Sequence, residues 1–135
     1  MIARRRGILL GTALLALGAP LAACGEGPGD VYIGMATSAE FGDREGFLAG
    51  FTPESKALVE AQISLSEAYD LRQDDPVKQL VFDHLESVET DGDKAVLEVS
   101  SGTKSKKILM VKTDEGWRID TKKLVDFWED EANKK

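Results

Sequence analysis

Apolar residues keep a helical spacing through the first half of the chain and switch to alternation in the second. Asp30 is placed to cap a short helix carrying Val31, Tyr32, Met35 and Ala36, with Gly42 as its stop and Asp43 as the next cap. Residues 43–48 then make one or two turns that deliver Phe47, Leu48 and Phe51 towards a core. Thr52-Pro53-Glu54 is a strong helix start: a threonine N-cap, a proline at the first helical position and an acid near the positive end. The helix it opens runs to about Leu71, with Leu58, Ala61, Leu65, Ala68 and Tyr69 at i, i+3, i+4 spacing as the face expected to be buried. Ser55, Glu60, Ser64 and Glu67 fall on its outer side, and Asp74-Asp75-Pro76 ends the segment.

Residues 81–89 read as a strand, although 76–85 also accept a helical reading. Asp91-Gly92 signals a hairpin, after which Ala95, Leu97 and Val99 alternate with Val96, Glu98 and Ser100. Ser101-Gly102 turns the chain again, and residues 107–113 set Ile108 and Met110 against Leu109 and Val111. Asp114-Glu115-Gly116 makes a third turn before a short last strand at 117–120. Tight turns between successive strands give an antiparallel meander of four strands. Thr121 then opens a final helix with Leu124, Phe127 and Trp128 on one side. The pattern predicts an α+β fold, with the long helix packed across one face of a curved sheet.

The first 29 residues follow neither period. Arg4, Arg5 and Arg6 form a basic start, 8–17 is apolar, and Leu21-Ala22-Ala23-Cys24 closes the segment with small residues before the only cysteine. The apolar run is too short to span a bilayer, and the arrangement is that of a secretory signal. Leu-Ala-Ala-Cys resembles the lipobox of bacterial lipoproteins. That resemblance makes residues 1–23 a signal peptide and Cys24 the thioether-forming acceptor of acyl chains, a role suited to a nucleophilic sulfur. Acyl chains contribute about 0.8 kcal/mol per buried methylene, so two or three hold a small domain on a membrane. Gly25 follows the cysteine where some lipoproteins carry a retention aspartate, which favours the outer membrane, while Arg5-Arg6 leaves the export route open between the general and twin-arginine systems. Residues 24–29, rich in glycine, read as a short tether, and 30–135 as one domain.

Charge narrows the range of partners. The chain has 24 acidic and 17 basic residues, a net −7, and cleavage after Ala23 would remove three arginines and deepen the negative balance. Such a surface argues against nucleic acid and against an electrostatic hold on anionic lipid, so the expected membrane attachment rests on the acyl chains. No disulfide can form within one chain that has a single cysteine.

The runs Gly92-Asp93-Lys94-Ala95-Val96-Leu97-Glu98-Val99, Met110-Val111-Lys112 and Glu115-Gly116-Trp117-Arg118-Ile119-Asp120 resemble small secreted domains of the NTF2-like (cystatin-like) superfamily. Gly42-Asp43 ahead of Phe47, and Phe51-Thr52-Pro53-Glu54-Ser55, fit the helical half of many of them. The resemblance covers about residues 31–128 and implies a cone of helices wrapped by a curved sheet. Members include isomerases, dehydratases and binding modules, so the fold alone does not choose an activity. In such a cone Phe47, Phe51, Tyr69, Leu97 and Met110 are the candidate lining for a small apolar ligand. The outer sheet face is the candidate for an envelope protein or, as in many domains of this kind, a second copy.

His84 is the only histidine and the natural proton shuttle near neutral pH. On a strand it shares a face with Glu86 and opposes Asp83, which gives the alternative reading: a small isomerase or hydratase using His84 with an acidic neighbour, helped by Tyr32 or Tyr69. One histidine without free thiols does not make a zinc site, and Glu89, Asp91 and Asp93 read as a hairpin rather than a calcium loop. No metal or cofactor is expected. Lys104, Lys106 and Lys107 form a basic row on a hairpin, suited to protecting a sheet edge or meeting an acidic partner. The preferred expectation is a lipid-anchored, periplasm-facing domain that binds a small apolar ligand or a protein and performs no catalysis.

Overall fold

Turns built on left-handed glycines set the sheet. Gly92 and Gly102 adopt φ of 63° and 62°, values that glycine reaches without a side-chain penalty, and each closes a tight hairpin. The computed structural model describes residues 25–134, so the expected signal peptide and Cys24 lie outside the described residues. The strands are β1 (His84–Asp91), β2 (Lys94–Ser101), β3 (Lys104–Thr113) and β4 (Gly116–Arg118), in antiparallel order β1-β2-β3-β4. Helices α1 (Pro28–Glu40), α2 (Arg44–Leu48), α3 (Pro53–Ala68) and α4 (Pro76–Leu80) precede them, and α5 (Thr121–Asn133) follows. The chain is therefore α+β, with five α-helices and an open four-stranded antiparallel meander among the described residues.

Register places Leu85 opposite Val99, Val88 opposite Leu97, Leu97 opposite Ile108 and Ala95 opposite Met110. Paired residues share a face, so these side chains make the inner surface. It is α1, not the long helix, that lies over this surface, touching β1, β2 and β4. A Cβ on Gly29 would already meet Leu85 and Val88. The helix begins two residues before the expected Asp30 cap: Pro28 occupies the first turn, and the Asp30 carboxylate accepts from Gly27 N at 3.1 Å. Pro28 and Gly29, read as tether, are thus helical.

The long helix α3 corrects the expected amphipathic face. Its buried residues are Ser55, Val59, Ile63 and Ser66, while Leu58 is 65% exposed, Leu65 51% and Tyr69 69%. The cause lies at its start. Thr52 N donates to Ile119 O at 3.0 Å, Ile119 N donates to Gly50 O at 2.8 Å, and Thr121 N donates to Ser55 Oγ at 2.9 Å. These bonds fix the rotation of α3 about its axis and turn the β-branched pair Val59 and Ile63 inward. Spacing identifies which residues share a face, but α3 has two such faces, and the anchoring bonds choose between them.

The same junction needs Gly50. A Cβ there would overlap Sδ and Cγ of Met35, a buried residue of α1. Gly50→Ala should cost about 1–3 kcal/mol through overpacking, read as a lowered denaturation midpoint with an unchanged slope. A stability equal to that of the parent would show that α1 is not pinned to this turn.

The contested segment 76–89 divides. Asp75 caps α4 by accepting from Val77 N at 2.9 Å, and β1 starts only at His84. Both readings of the sequence were partly satisfied, one after the other.

Candidate functional site

Most of the expected cavity lining lies in the core. Phe47, Phe51, Leu97 and Met110 are buried in one continuous cluster with Tyr32, Met35, Leu48, Ile108 and Ile119. The rings of Phe47 and Phe51 meet edge to face at 5.3 Å between centroids. These four expected lining residues fill the space between helices and sheet, and none borders the hollows described below. Tyr69, the fifth, stands in solvent at the far end of α3, turned out with Leu58 and Leu65.

The largest of these hollows lies on the other side of the sheet. Val96 and Leu109 are cross-strand partners that point away from α1, and Phe127 of α5 closes over them. They floor a groove of about 710 Å³ whose rim carries Glu89 and Asp91 of β1, Lys94 of β2, and Lys123, Asp126 and Asp130 of α5. Four carboxylates against two amines make an apolar trough with a net negative border.

One wall of the groove is α5, and it is held by an unusual edge contact. β4 spans only three residues, which leaves the first part of β3 without a strand partner on that side. There Trp128 Nε1 donates to Lys107 O at 2.7 Å, so an indole satisfies a carbonyl that a strand would otherwise pair. Lys106 Nζ sits 4.0 Å from the centre of the Trp128 ring, and Lys107 Nζ lies 3.5 Å from Glu131. Burial against the helix lowers the pKa of Lys106. The lysine row of the β2–β3 hairpin thus joins the sheet edge to α5 through two of its three members, a covering device for an exposed strand.

The opposite edge is open. Among the described residues β1 pairs only with β2, is exposed along most of its length and is interrupted by a bulge at Glu86, between Leu85 and Ser87. A bulged strand with acidic side chains resists continuous pairing with another sheet edge.

Family models, curated proteins and solved structures were all compared with this chain, and none matches. The site must therefore be read from its own chemistry.

His84, Asp83 and Glu86 do not assemble into a proton-transfer group. His84 is exposed at the first position of β1. The Glu86 carboxylate accepts from Ser100 Oγ, and Asp83 N donates to Ser101 Oγ at 2.8 Å. Among the described residues no hydrogen bond joins His84 to either acid, and the bulge breaks the alternation that would have aligned them. Tyr32 is committed elsewhere: its hydroxyl donates to Leu80 O at 2.7 Å and accepts from Phe82 N at 2.9 Å. Burial raises its pKa most, the Phe82 amide opposes that, and the Asp83 charge raises it further. This tyrosine clasps α1 to the link between α4 and β1.

Sequence reasoning missed the groove, although a signal for it was present. β2 and β3 carry apolar residues on both faces, with Val96, Leu109 and Val111 interleaved among the core positions. Strands that are apolar on both sides indicate a second covered surface. In this fold α5 covers part of it and leaves the rest as the trough.

Proposed function

We propose that this chain is a lipid-anchored cell-envelope domain that binds a protein partner in the outer-face groove and performs no catalysis. The observation that carries this reading is the contrast between a filled interior and an open trough. The occupant best suited to the groove is an extended segment with apolar residues for Val96, Leu109 and Phe127, and with Lys or Arg to meet Glu89, Asp91, Asp126 and Asp130. An isomerase or hydratase reading has no such support, because its histidine stands in solvent away from any enclosed apolar space.

Attachment through Cys24 suits such a role. Cys24 is the acylated first residue of the mature protein, facing the periplasm, with the outer membrane as the favoured bilayer. Four peptide units separate it from Pro28, a reach of at most about 14 Å, so the domain works close to the lipid surface. The NTF2-like reading of the fold is supported by helices that precede a four-stranded meander and by the burial of Trp117 and Ile119 at its last strand.

Site-specific photo-crosslinking tests the groove in the producing cell. A photoreactive side chain at Lys123 should capture a discrete envelope protein, and Asp126→Lys with Asp130→Lys should reduce that product at least tenfold at equal abundance. Capture that is indifferent to the charge reversal would remove the groove as the binding site.

A further inference from the structure

A second hollow, of about 640 Å³, opens at the end of the sheet where the described chain begins. Gly25 and Glu26 form one wall, and the turn between β3 and β4 forms the other, with Lys112, Asp114, Glu115, Trp117 and Arg118. It shares no residue with the groove. We propose that, with Cys24 acylated as read above, this hollow takes the phosphoethanolamine head group of a neighbouring phospholipid; the assignment rests on that anchor.

Position argues for a lipid. Gly25 directly follows the acylated residue, so its Cα is only about 3.8 Å from that of Cys24. The polar layer on each side of a bilayer is about 5–8 Å deep, so the mouth of the hollow falls within it.

Charge selects the head group. Lys112 and Arg118 share the rim with Glu26, Asp114 and Glu115, yet none of the five makes an ion pair among the described residues. Arg118 spends one donor on Trp117 O, at 2.8 Å, and keeps the others. Trp117 adds a further donor. Its ring is buried, but its indole N–H makes no hydrogen bond among the described residues. Nor is that N–H sealed in, since Ser66 Oγ alone is both buried and unpartnered among them, so it reaches solvent beside the hollow that the ring borders. These donors suit a phosphate, and the carboxylates suit the ammonium carried on the same molecule.

Other head groups fit less well. The quaternary ammonium of phosphocholine has no N–H to give a carboxylate, and phosphoglycerol or free phosphate brings only negative charge to a rim where acids outnumber bases. Exposed charge pairs are weak, so the dissociation constant is on the order of a millimolar. The site fills where the tether holds it against a dense lipid surface, and it empties on extraction into detergent. Lys112 N donates to Asp93 O at 2.8 Å, which sets the Gly92 hairpin at the same end of the sheet. A seated head group therefore brings the Asp91 and Lys94 border of the groove close to the membrane.

Nuclear magnetic resonance of the isotope-labelled indoles reads this contact, because the chain has two tryptophans and so two indole signals. The acylated chain from the producing cell is placed in nanodiscs of phosphatidylcholine alone and of phosphatidylcholine mixed with phosphatidylethanolamine. The Trp117 signal should shift in the mixed discs, while that of Trp128, already bonded to Lys107 O, should stay. Lys112→Glu and Glu115→Lys change exposed side chains, so each should cut the shift about fivefold or more at an unchanged melting temperature. A Trp117 signal identical in both discs would overturn the proposal, and so would a shift that survives both substitutions. An equal shift from phosphatidylglycerol, or from inorganic phosphate added to the phosphatidylcholine discs, would overturn it too and make the hollow a plain anion site. The mass of the same sample reads the anchor separately. A chain without acyl groups would remove the membrane as the source of the head group, whereas an acylated chain with a silent Trp117 would sink the head-group site alone.

Discussion

Leu97→Ala is expected to lower the stability of the domain by about 3–4 kcal/mol, near a third or more of the total stability of an ordinary domain. Leu97 is completely buried at the centre of β2, between Val88 of β1 and Ile108 of β3 in register. Its neighbours are buried side chains held by a hydrogen-bonded sheet on one side and by α1 on the other, so they can collapse only partly into the space left behind. The cost is then the lost transfer energy plus a cavity term. A different result follows if the space between helices and sheet is a ligand cavity. Enlarging an existing cavity costs the transfer term alone, on the order of 1–2 kcal/mol, and a bound apolar ligand would respond to the extra room. Chemical denaturation of the parent and of Leu97→Ala, with the slope checked for constancy, separates the two outcomes.

Tyr32→Phe should cost about 2–3 kcal/mol although it removes a single oxygen. The hydroxyl is buried and serves two backbone groups fifty and forty-eight residues away, accepting from Phe82 N and donating to Leu80 O. Phenylalanine leaves both groups without a partner in a place water reaches poorly, and an orphaned buried group costs more than an average hydrogen bond contributes. The variant also carries a pH signature. Because the folded protein holds the Tyr32 pKa above its usual value near 10, the unfolded chain ionises first as the solution becomes alkaline. The stabilisation is complete below pH of about 10 and is lost as the pH rises towards the folded value. Melting temperatures of the parent should therefore fall more steeply above pH 10 than those of Tyr32→Phe. Parallel curves would show that the hydroxyl ionises as freely in the fold as in the unfolded chain.

Local chemistry made most of the fold legible and left the packing partly hidden. The hairpins at Gly92 and Gly102, the Thr52 cap and the strand alternation through Leu97 and Ile108 are dictated by residues close in sequence, and all were readable, whereas Asp75 was read as a stop and also caps α4. The orientation of α3 was not, because two apolar faces compete and the choice depends on bonds from Ile119 and Thr121, more than fifty residues away. Two serines occupy the buried face, and Ser66 Oγ has no hydrogen-bond partner there, so polarity misled as well. For the site, Phe47, Phe51, Leu97 and Met110 were recognisable as interior residues, but a sequence does not distinguish a filled interior from a lined cavity. The groove depends on where α5 lands, and that follows from a short β4 and from Trp128 reaching a carbonyl on β3.

The central claim is that this domain binds on the outside of its sheet and keeps nothing within. Native mass spectrometry of the full chain, extracted in mild detergent from the membranes of the cell that makes it, addresses that claim directly. The predicted spectrum contains the chain from Cys24 onward with its acyl groups and, in part, a protein partner lost on Asp126→Lys with Asp130→Lys, with no further small molecule. A stoichiometric adduct of a few hundred daltons, retained in the charge-reversed variant and displaced by Leu97→Phe, would contradict it and restore the interior as the binding site.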